Sequence, residues 1–192
     1  MVLGSHNAWS YSWPRKWYML PFRFVARCQD YDIKGQYEKC SSRCFDLRVR
    51  FNDEGEIVIA HGMMEYKISR EKLHEDLSYI NSKGDCYLRV LHEVRDKKSY
   101  TDESIRRFKS FCLEIEDEYK NIKMFCGKNL YNYQTDYEFS NHPSCLELYS
   151  SVCPPKWLDD WFPRLYALFN NKKNVEKGTD KDILLIDFVN YA

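Results

Sequence analysis

Short apolar runs and longer amphipathic stretches alternate along this chain. Cys44–Phe51 (CFDLRVRF) alternates charged with apolar side chains, the pattern of a strand with two unlike faces. Asp46 and Arg48 lie two positions apart and therefore share one face. Residues 86–94 (CYLRVLHEV) alternate in the same way, and residues 56–61 (EIVIAH) are apolar up to the closing histidine. Residues 122–126, 145–149 and 183–189 (ILLIDFV) complete a set of short strands, separated by turn residues such as Asn52-Asp53-Glu54-Gly55 and Lys83-Gly84-Asp85.

Three stretches read as helices. Residues 69–82 place Leu73, Leu77 and Ile80 on one face, with Ser69 as N-cap and Gly84 near the C-terminal end. Residues 101–122 place Ile105, Phe108, Cys112, Ile115 and Tyr119 at helical spacing, and residues 157–171 form a third candidate. The polar run 170–182 (NNKKNVEKGTDKD) reads as a loop before the last strand. Strands alternating with helices predict an α/β fold with a mainly parallel sheet, closed or partly closed into a (β/α) barrel of the TIM type. Such barrels usually need roughly 200–400 residues. This chain has 192, so the expected form is compact, incomplete or distorted, with some connecting helices missing or shortened.

Composition narrows the picture. An apolar content of 44% against 30% charged residues is that of a globular chain, and no repeat or linker divides it, so residues 1–192 are expected to form one domain. Lys+Arg and Asp+Glu both total 29, without the basic excess that nucleic-acid partners require. No apolar run reaches the length of a membrane span. The start, MVLGSHNAWSYSWPRKWYML, lacks a basic segment followed by an apolar one, which predicts a cytoplasmic protein. That setting favours reduced thiols for the eight cysteines. Only Cys40 and Cys44 are close together, and no second pair stands at zinc-finger spacing, so a structural zinc has little support.

Chemistry-bearing residues gather at the C-terminal ends of the predicted strands. His6 and Asn7 follow the opening VLGS, Asp46 and Arg48 share their strand face, His61 ends EIVIAH, Glu93 closes CYLRVLHE, and Asp187 sits late in ILLIDFV. In a barrel these ends meet at one mouth. Two histidines, an arginine and carboxylates suit phosphoryl transfer. One neutral imidazole takes a proton from an attacking hydroxyl, and a protonated one gives a proton to the leaving oxygen. An arginine stabilises the charge growing on phosphorus oxygens, and a carboxylate behind the base fixes its tautomer. Bland readings exist beside these: His74, His92 and His142 read as structural, and Asp46 with Arg48 also fits a strand-bracing ion pair.

At these residues the sequence resembles the phosphatidylinositol-specific phospholipase C X-domain family, in its small, metal-independent bacterial form. GSHNAWS is similar to the family's opening GTH[DN]S segment, and DIKGQYEKCSSRCFDLRVR to its QL-x-x-G-[VA]-R-x-F-D-[IL]-R segment. IVIAHG resembles the second-histidine strand, LRVLHE a strand carrying a glutamate, and ILLIDFV the closing strand with an aspartate, all in family order. The resemblance implies a phospholipase-C-like barrel that cleaves phosphodiesters. It implies His6 as general base, Asp187 as its partner, His61 as general acid, and Arg48 where eukaryotic relatives hold calcium. Asn7, Asp46 and Glu93 would then surround the guanidinium rather than a metal, so no cofactor is expected; in the alternative, those three residues hold a metal. The implied substrate is a phosphodiester with a neighbouring hydroxyl, a phosphoinositide or another phospholipid headgroup.

Two features stand apart from these motifs. The aromatic run carrying Trp9, Trp13 and Trp17 reads either as a lip that contacts a lipid surface or as a packed rim. Lys128 is a candidate phosphate or headgroup contact, or a loop lysine. Rival readings of the whole are a barrel that binds a phosphorylated ligand without turnover, a metal-dependent glycerophosphodiesterase-like enzyme, and a cysteine-based metal or redox protein.

Overall fold

The computed structural model describes residues 1–52, 54–94, 100–150 apart from 131–133 and 141–147, 153–179, and 182–192, with backbone alone at 127–130, 134–140, 148–150 and 156. The elements run β1 (Val2–Ser5), α1 (Arg23–Ala26), α2 (Ile33–Cys40), β2 (Cys44–Phe51), β3 (Ile57–His61), β4 (Met64–Glu65), α3 (Arg70–Lys83), β5 (Tyr87–Glu93), α4 (Asp102–Glu118), β6 (Lys123–Leu130), β7 (Gln134–Ser140), β8 (Leu148–Ser150), α5 (Lys156–Trp161), α6 (Pro163–Lys177) and β9 (Ile183–Ile186). Short 3-10 turns cover Ala8–Tyr11, Trp17–Phe22 and Val189–Tyr191. No helix among the described residues is long and apolar enough to cross a membrane.

The strands form one mixed sheet in the order β7-β6-β5-β2-β1-β9-β8. Pairing is parallel from β6 through β5, β2, β1 and β9 to β8. Among the described residues β7 and β8 do not pair, so the barrel is open, as the short chain predicts. Three pairings depart from a parallel barrel: β7 lies antiparallel to β6, β3 lies antiparallel to β2, and β4 lies antiparallel to β3. The second corrects the expectation that His61 ends a parallel barrel strand. Only residues 52–56 join β2 to β3, and a parallel crossover takes a dozen residues or more.

The strand alternation separates two layers. Phe45, Leu47 and Val49 of β2 and Leu88 and Val90 of β5 pack outward against Leu73, Leu77 and Ile80 of α3 and Phe108, Cys112 and Ile115 of α4. The other face of the sheet turns inward. Its lower layer is apolar, with Cys44, Phe125, Ile183 and Leu185 packed together beside Val2 and Tyr87. One step higher on the same strand faces stand Asp46 and Arg89, paired in register, and one step above Asp46 stands Arg48.

Helix α3 begins at its Ser69 cap and stops at Gly84, in the left-handed conformation, as the sequence predicts. Helix α4 ends at Glu118 rather than at residue 122; Tyr119 leaves helical geometry, and its hydroxyl meets His74 Nδ1 of α3 at 2.7 Å. The third predicted helix is two, broken at Phe162 before Pro163. The polar run at 170–177 is helix, not loop: Asn174 accepts from the Cys153 backbone, and Asn171 donates to the carbonyls of Asp187 and Phe188. Asn has a weak helix propensity, which here loses to tertiary hydrogen bonds. Helix α2, too short and polar to show as a periodicity, is capped by Asp32 on the Gly35 amide. His142 and Cys145 lie outside the described residues.

Gly4 sits on the inward face of β1, where a Cβ would come within 2.6 Å of Leu185 Cδ2 and 2.9 Å of Cys44 Cβ. The close approach keeps β1 seated between β2 and β9. Gly4→Val therefore overpacks the lower layer and is expected to cost about 1–3 kcal/mol of unfolding free energy, read from urea denaturation. A variant as stable as the parent contradicts this packing.

Candidate active site

Strand β2 presents one edge to two partners. Its lower part pairs with β1 through Gly4↔Cys44 and Ser5↔Phe45, and its upper part pairs with β3 from Val49↔Ile59 upward. β1 climbs and stops just before His6; β3 descends and stops at His61. The two histidines thus meet from opposite directions over the stretch of β2 that carries Asp46 and Arg48. Their ring centroids lie 5.5 Å apart, edge to face.

The next residues turn the chain sharply. Asn7 is left-handed (φ 44°), and so is Phe188 (φ 48°), which follows Asp187. Asn tolerates this conformation; Phe does so only where its surroundings enforce it. Those surroundings are visible: the Phe188 amide donates to the Cys28 carbonyl at 2.5 Å, and its own carbonyl accepts from Asn171. Gln29, fully buried, donates to the carbonyls of His6 and Ile186 and accepts from the Val189 amide. It staples the ends of β1 and β9 together, which holds His6 beside Asp187.

A continuous hydrogen-bonded chain results. His6 Nδ1 lies 2.6 Å from Asp187 Oδ1, and His6 Nε2 lies 2.6 Å from Arg48 Nη2. A guanidinium nitrogen only donates. His6 Nε2 must therefore accept, and the ring proton sits on Nδ1, donated to Asp187. Arg48 Nε donates to Asp46 Oδ2 at 2.8 Å, and Nη1 faces Glu93 Oε2 at 3.4 Å. Asp46 Oδ2 also accepts the Asn7 amide, and Arg89 Nε lies 3.6 Å from Oδ1. Glu93 Oε1 accepts the Gly62 amide at 2.8 Å, which ties the end of β3 to β5. The Asn7 side chain is buried without a hydrogen bond of good geometry and interacts with the Tyr66 hydroxyl.

Charge shapes these groups. Burial alone would raise the pKa of Asp46, but Arg48 and Arg89 outweigh it and hold the carboxyl well below its usual range. Burial likewise opposes the Arg48 charge, and Asp46 and Glu93 more than restore it. For His61, burial first and the Arg48 charge next lower the pKa from 6.5 to about 4. Its Nδ1 lies 3.3 Å from the Ala26 carbonyl and 3.8 Å from Cys28 Sγ.

The structure thus gathers seven of the eight sequence-derived site residues: His6, Asn7, Asp46, Arg48, His61, Glu93 and Asp187. Lys128 lies in β6 opposite His92, and its side chain is outside the described residues. The alternative metal cage of Asn7, Asp46 and Glu93 has the guanidinium between its two carboxylates. His92 is structural, stacked on Phe108 at 5.1 Å. Sequence reasoning missed Gln29, Cys28 and Asn171, which lie in no strand-end motif.

Two cavities adjoin the cluster, one through Glu93 and the other through Phe188, the neighbour of Asp187. A polar one of about 350 Å³ includes Glu93, with Arg15, Lys16, Arg50 and Glu65 on its walls. An apolar groove of about 570 Å³ includes Phe188, with Trp13, Leu20, Phe24, Phe162 and Leu165. Trp13 and Trp17 are exposed, at 62% and 79%, but Trp9 is fully buried and its Nε1 donates to Asp76 of α3 at 2.9 Å. Trp9 is therefore an anchor of the rim, not a lipid contact.

No family model and no curated protein matches the sequence. Solved structures do match. A mutant of the phosphatidylinositol-specific phospholipase C from Staphylococcus aureus aligns at TM-score 0.63 and 14% identity, covering 97% of this chain and 84% of that one. A double mutant of that enzyme aligns at 0.62 and 16%, with the same coverage. A structure concerned with modulation of that enzyme's membrane binding aligns at 0.61 and 16%, covering 100% of this chain and 86% of the other. This chain has the fold of that phospholipase.

The His61 shift has a signed consequence. Between about pH 6.5 and about pH 4 the unfolded chain binds the His61 proton more readily than the folded one. Stability from this group is complete above that window and is lost as pH falls through it. Urea unfolding at pH 7 and at about pH 5 is expected to show a larger loss for the parent than for His61→Asn; equal losses contradict it.

Proposed function

We propose that residues 1–192 act as one phospholipase-C-like phosphodiesterase that needs no metal. The observation that carries this reading is the hydrogen-bonded line Asp187–His6–Arg48, with the His61 ring 5.5 Å from that of His6. It supplies a base with a fixed tautomer, a cation for phosphate oxygens and a second imidazole for the leaving group. The likeness to the Staphylococcus aureus phospholipase supports it at the level of fold.

In this reading a phosphodiester oxygen takes donors from Arg48, drawing its Nη2 away from His6 Nε2. A hydroxyl neighbouring the phosphate then donates to the freed Nε2. As the hydroxyl oxygen forms its bond to phosphorus, its proton passes to Nε2, and Asp187 stabilises the imidazolium. The bond from phosphorus to the departing alcohol breaks, and His61 gives that oxygen a proton. The products are a cyclic phosphodiester and the free alcohol; water opens the cycle with the imidazole roles exchanged. His61, lowered to about 4, is neutral in the free protein at pH 7. The phosphodiester anion raises its pKa and loads the acid when substrate is present. Arg48 makes a metal unnecessary, because its guanidinium, together with Arg89 beside Asp46, balances the Asp46 and Glu93 charges and offers planar donors to phosphate.

The substrate class is an amphiphile, a phosphoinositide or another phospholipid with a hydroxyl beside its phosphate. A polar cavity that includes Glu93 and an apolar groove that includes Phe188 support this. Trp13, Trp17 and the neighbouring Phe22 and Phe24, all exposed, form the surface that meets the lipid.

Phosphorus NMR of the protein with phosphatidylinositol micelles in EDTA tests the reaction. A cyclic-phosphate resonance is expected, with His6→Ala and His61→Ala each slower by about 10²–10⁴-fold and folded as the parent. Near-parental turnover in either variant, or activity lost to chelator and restored by calcium, overturns the proposal. For the surface, Trp13→Ala with Trp17→Ala is expected to lower binding to phosphatidylinositol vesicles while cleavage of a water-soluble phosphodiester stays unchanged. Unaltered vesicle sedimentation contradicts the lipid contact.

A further inference from the structure

Cys28 plays no part in the reaction proposed above, yet it lies against it. It is 1% exposed, its Sγ is 3.8 Å from His61 Nδ1, and it interacts with the Asp187 carboxylate. One ligand atom each from His6, Cys28 and Asp187 falls within 4.8 Å of the others. A thiol, an imidazole and a carboxylate at that spacing form a three-ligand set, with a fourth position open for water. The side chains of His6 and Asp187 are 19% and 14% exposed, which leaves a path from solvent.

We infer that His6, Cys28 and Asp187 form an inhibitory site for a borderline-soft divalent cation of the zinc class. The thiolate selects such a cation over magnesium and calcium, which prefer oxygen donors. The charges balance: the thiolate and the Asp187 carboxylate together offset a dication. Binding releases the thiol proton to solvent. Because binding displaces that proton, cation affinity falls as pH falls.

Occupancy disables the base. The cation takes the Nδ1 lone pair of His6, so the ring proton moves to Nε2. There it no longer accepts a proton from a hydroxyl, and it faces the Arg48 Nη2 donor as a second donor. Asp187 is turned from orienting His6 to ligating the cation. The inhibitory consequence rests on the phosphodiesterase reading; the binding itself does not.

Cobalt titration of the metal-free protein tests the site without activity. One equivalent is expected to produce thiolate-to-cobalt charge-transfer absorption. The band is expected to vanish in Cys28→Ser, and to persist with cobalt affinity weaker by about tenfold or more in Asp187→Asn. No band in the parent, or a band that survives in Cys28→Ser, overturns the site. If Cys28→Ser does not fold, Asp187→Asn decides: unchanged cobalt affinity overturns the assignment. Zinc inhibition of phosphodiester cleavage, reversed by EDTA, tests the switch. Cobalt binding at Cys28 without zinc inhibition overturns the switch alone, and a protein with no phosphodiesterase activity under any condition fails the earlier proposal, not the metal site.

Discussion

Arg48 is a guanidinium 8% exposed inside the sheet, and a charge in that position must be paired. Its pairing organises what surrounds it. Asp46 takes Nε, Glu93 faces Nη1, and the lone pair of His6 takes Nη2, so the three partners come from β2, β5 and the end of β1. Each partner is fixed in turn: Asp46 by the Asn7 amide, Glu93 by the Gly62 amide, and His6 by Asp187. Removing the cation would take the guanidinium from two buried carboxylates and leave Asp46 with Arg89. The same cation holds the His6 tautomer and, after burial, is the main reason His61 resists protonation.

The backbone makes room for this arrangement. β1 is only four residues long, so it leaves the edge of β2 free above Phe45. β3 fills the upper edge from the opposite direction, and the unpaired stretch between them lies under both imidazoles. The left-handed turns at Asn7 and Phe188 release the chain from β1 and β9 immediately beyond His6 and Asp187, and Gln29 ties those two ends to each other. A parallel barrel strand would deliver His61 at its upper end; the hairpin delivers it downward, toward His6.

Much of this was legible along the chain because period-2 patterning is local. The alternation in CFDLRVRF separates the outer Phe45, Leu47 and Val49 from the inner Asp46 and Arg48, and the capped, periodic α3 runs where its sequence says. The direction of β3 was encoded too, in a connection too short for a crossover. Other features depend on tertiary partners and leave no local trace. Trp9 and Trp13 look alike in an aromatic run, and only the distant Asp76 makes one an anchor. Asn171 and Asn174 read as loop residues until their partners at Phe188 and Cys153 are known. Gln29 and Cys28 carry no motif, and they matter because the chain from α1 to α2 passes against the ends of β1 and β9, beside His6 and Asp187.

The central claim is that a buried guanidinium holds His6 in the tautomer with its proton on Nδ1 and its lone pair on Nε2. Nitrogen-15 NMR of the histidine-labelled protein near pH 7 reads this directly. The account predicts a protonated Nδ1 coupled to a downfield proton shared with Asp187, an unprotonated Nε2, and loss of that downfield proton in Asp187→Asn. A His6 ring with its proton on Nε2, unaffected by Asp187→Asn, would contradict it.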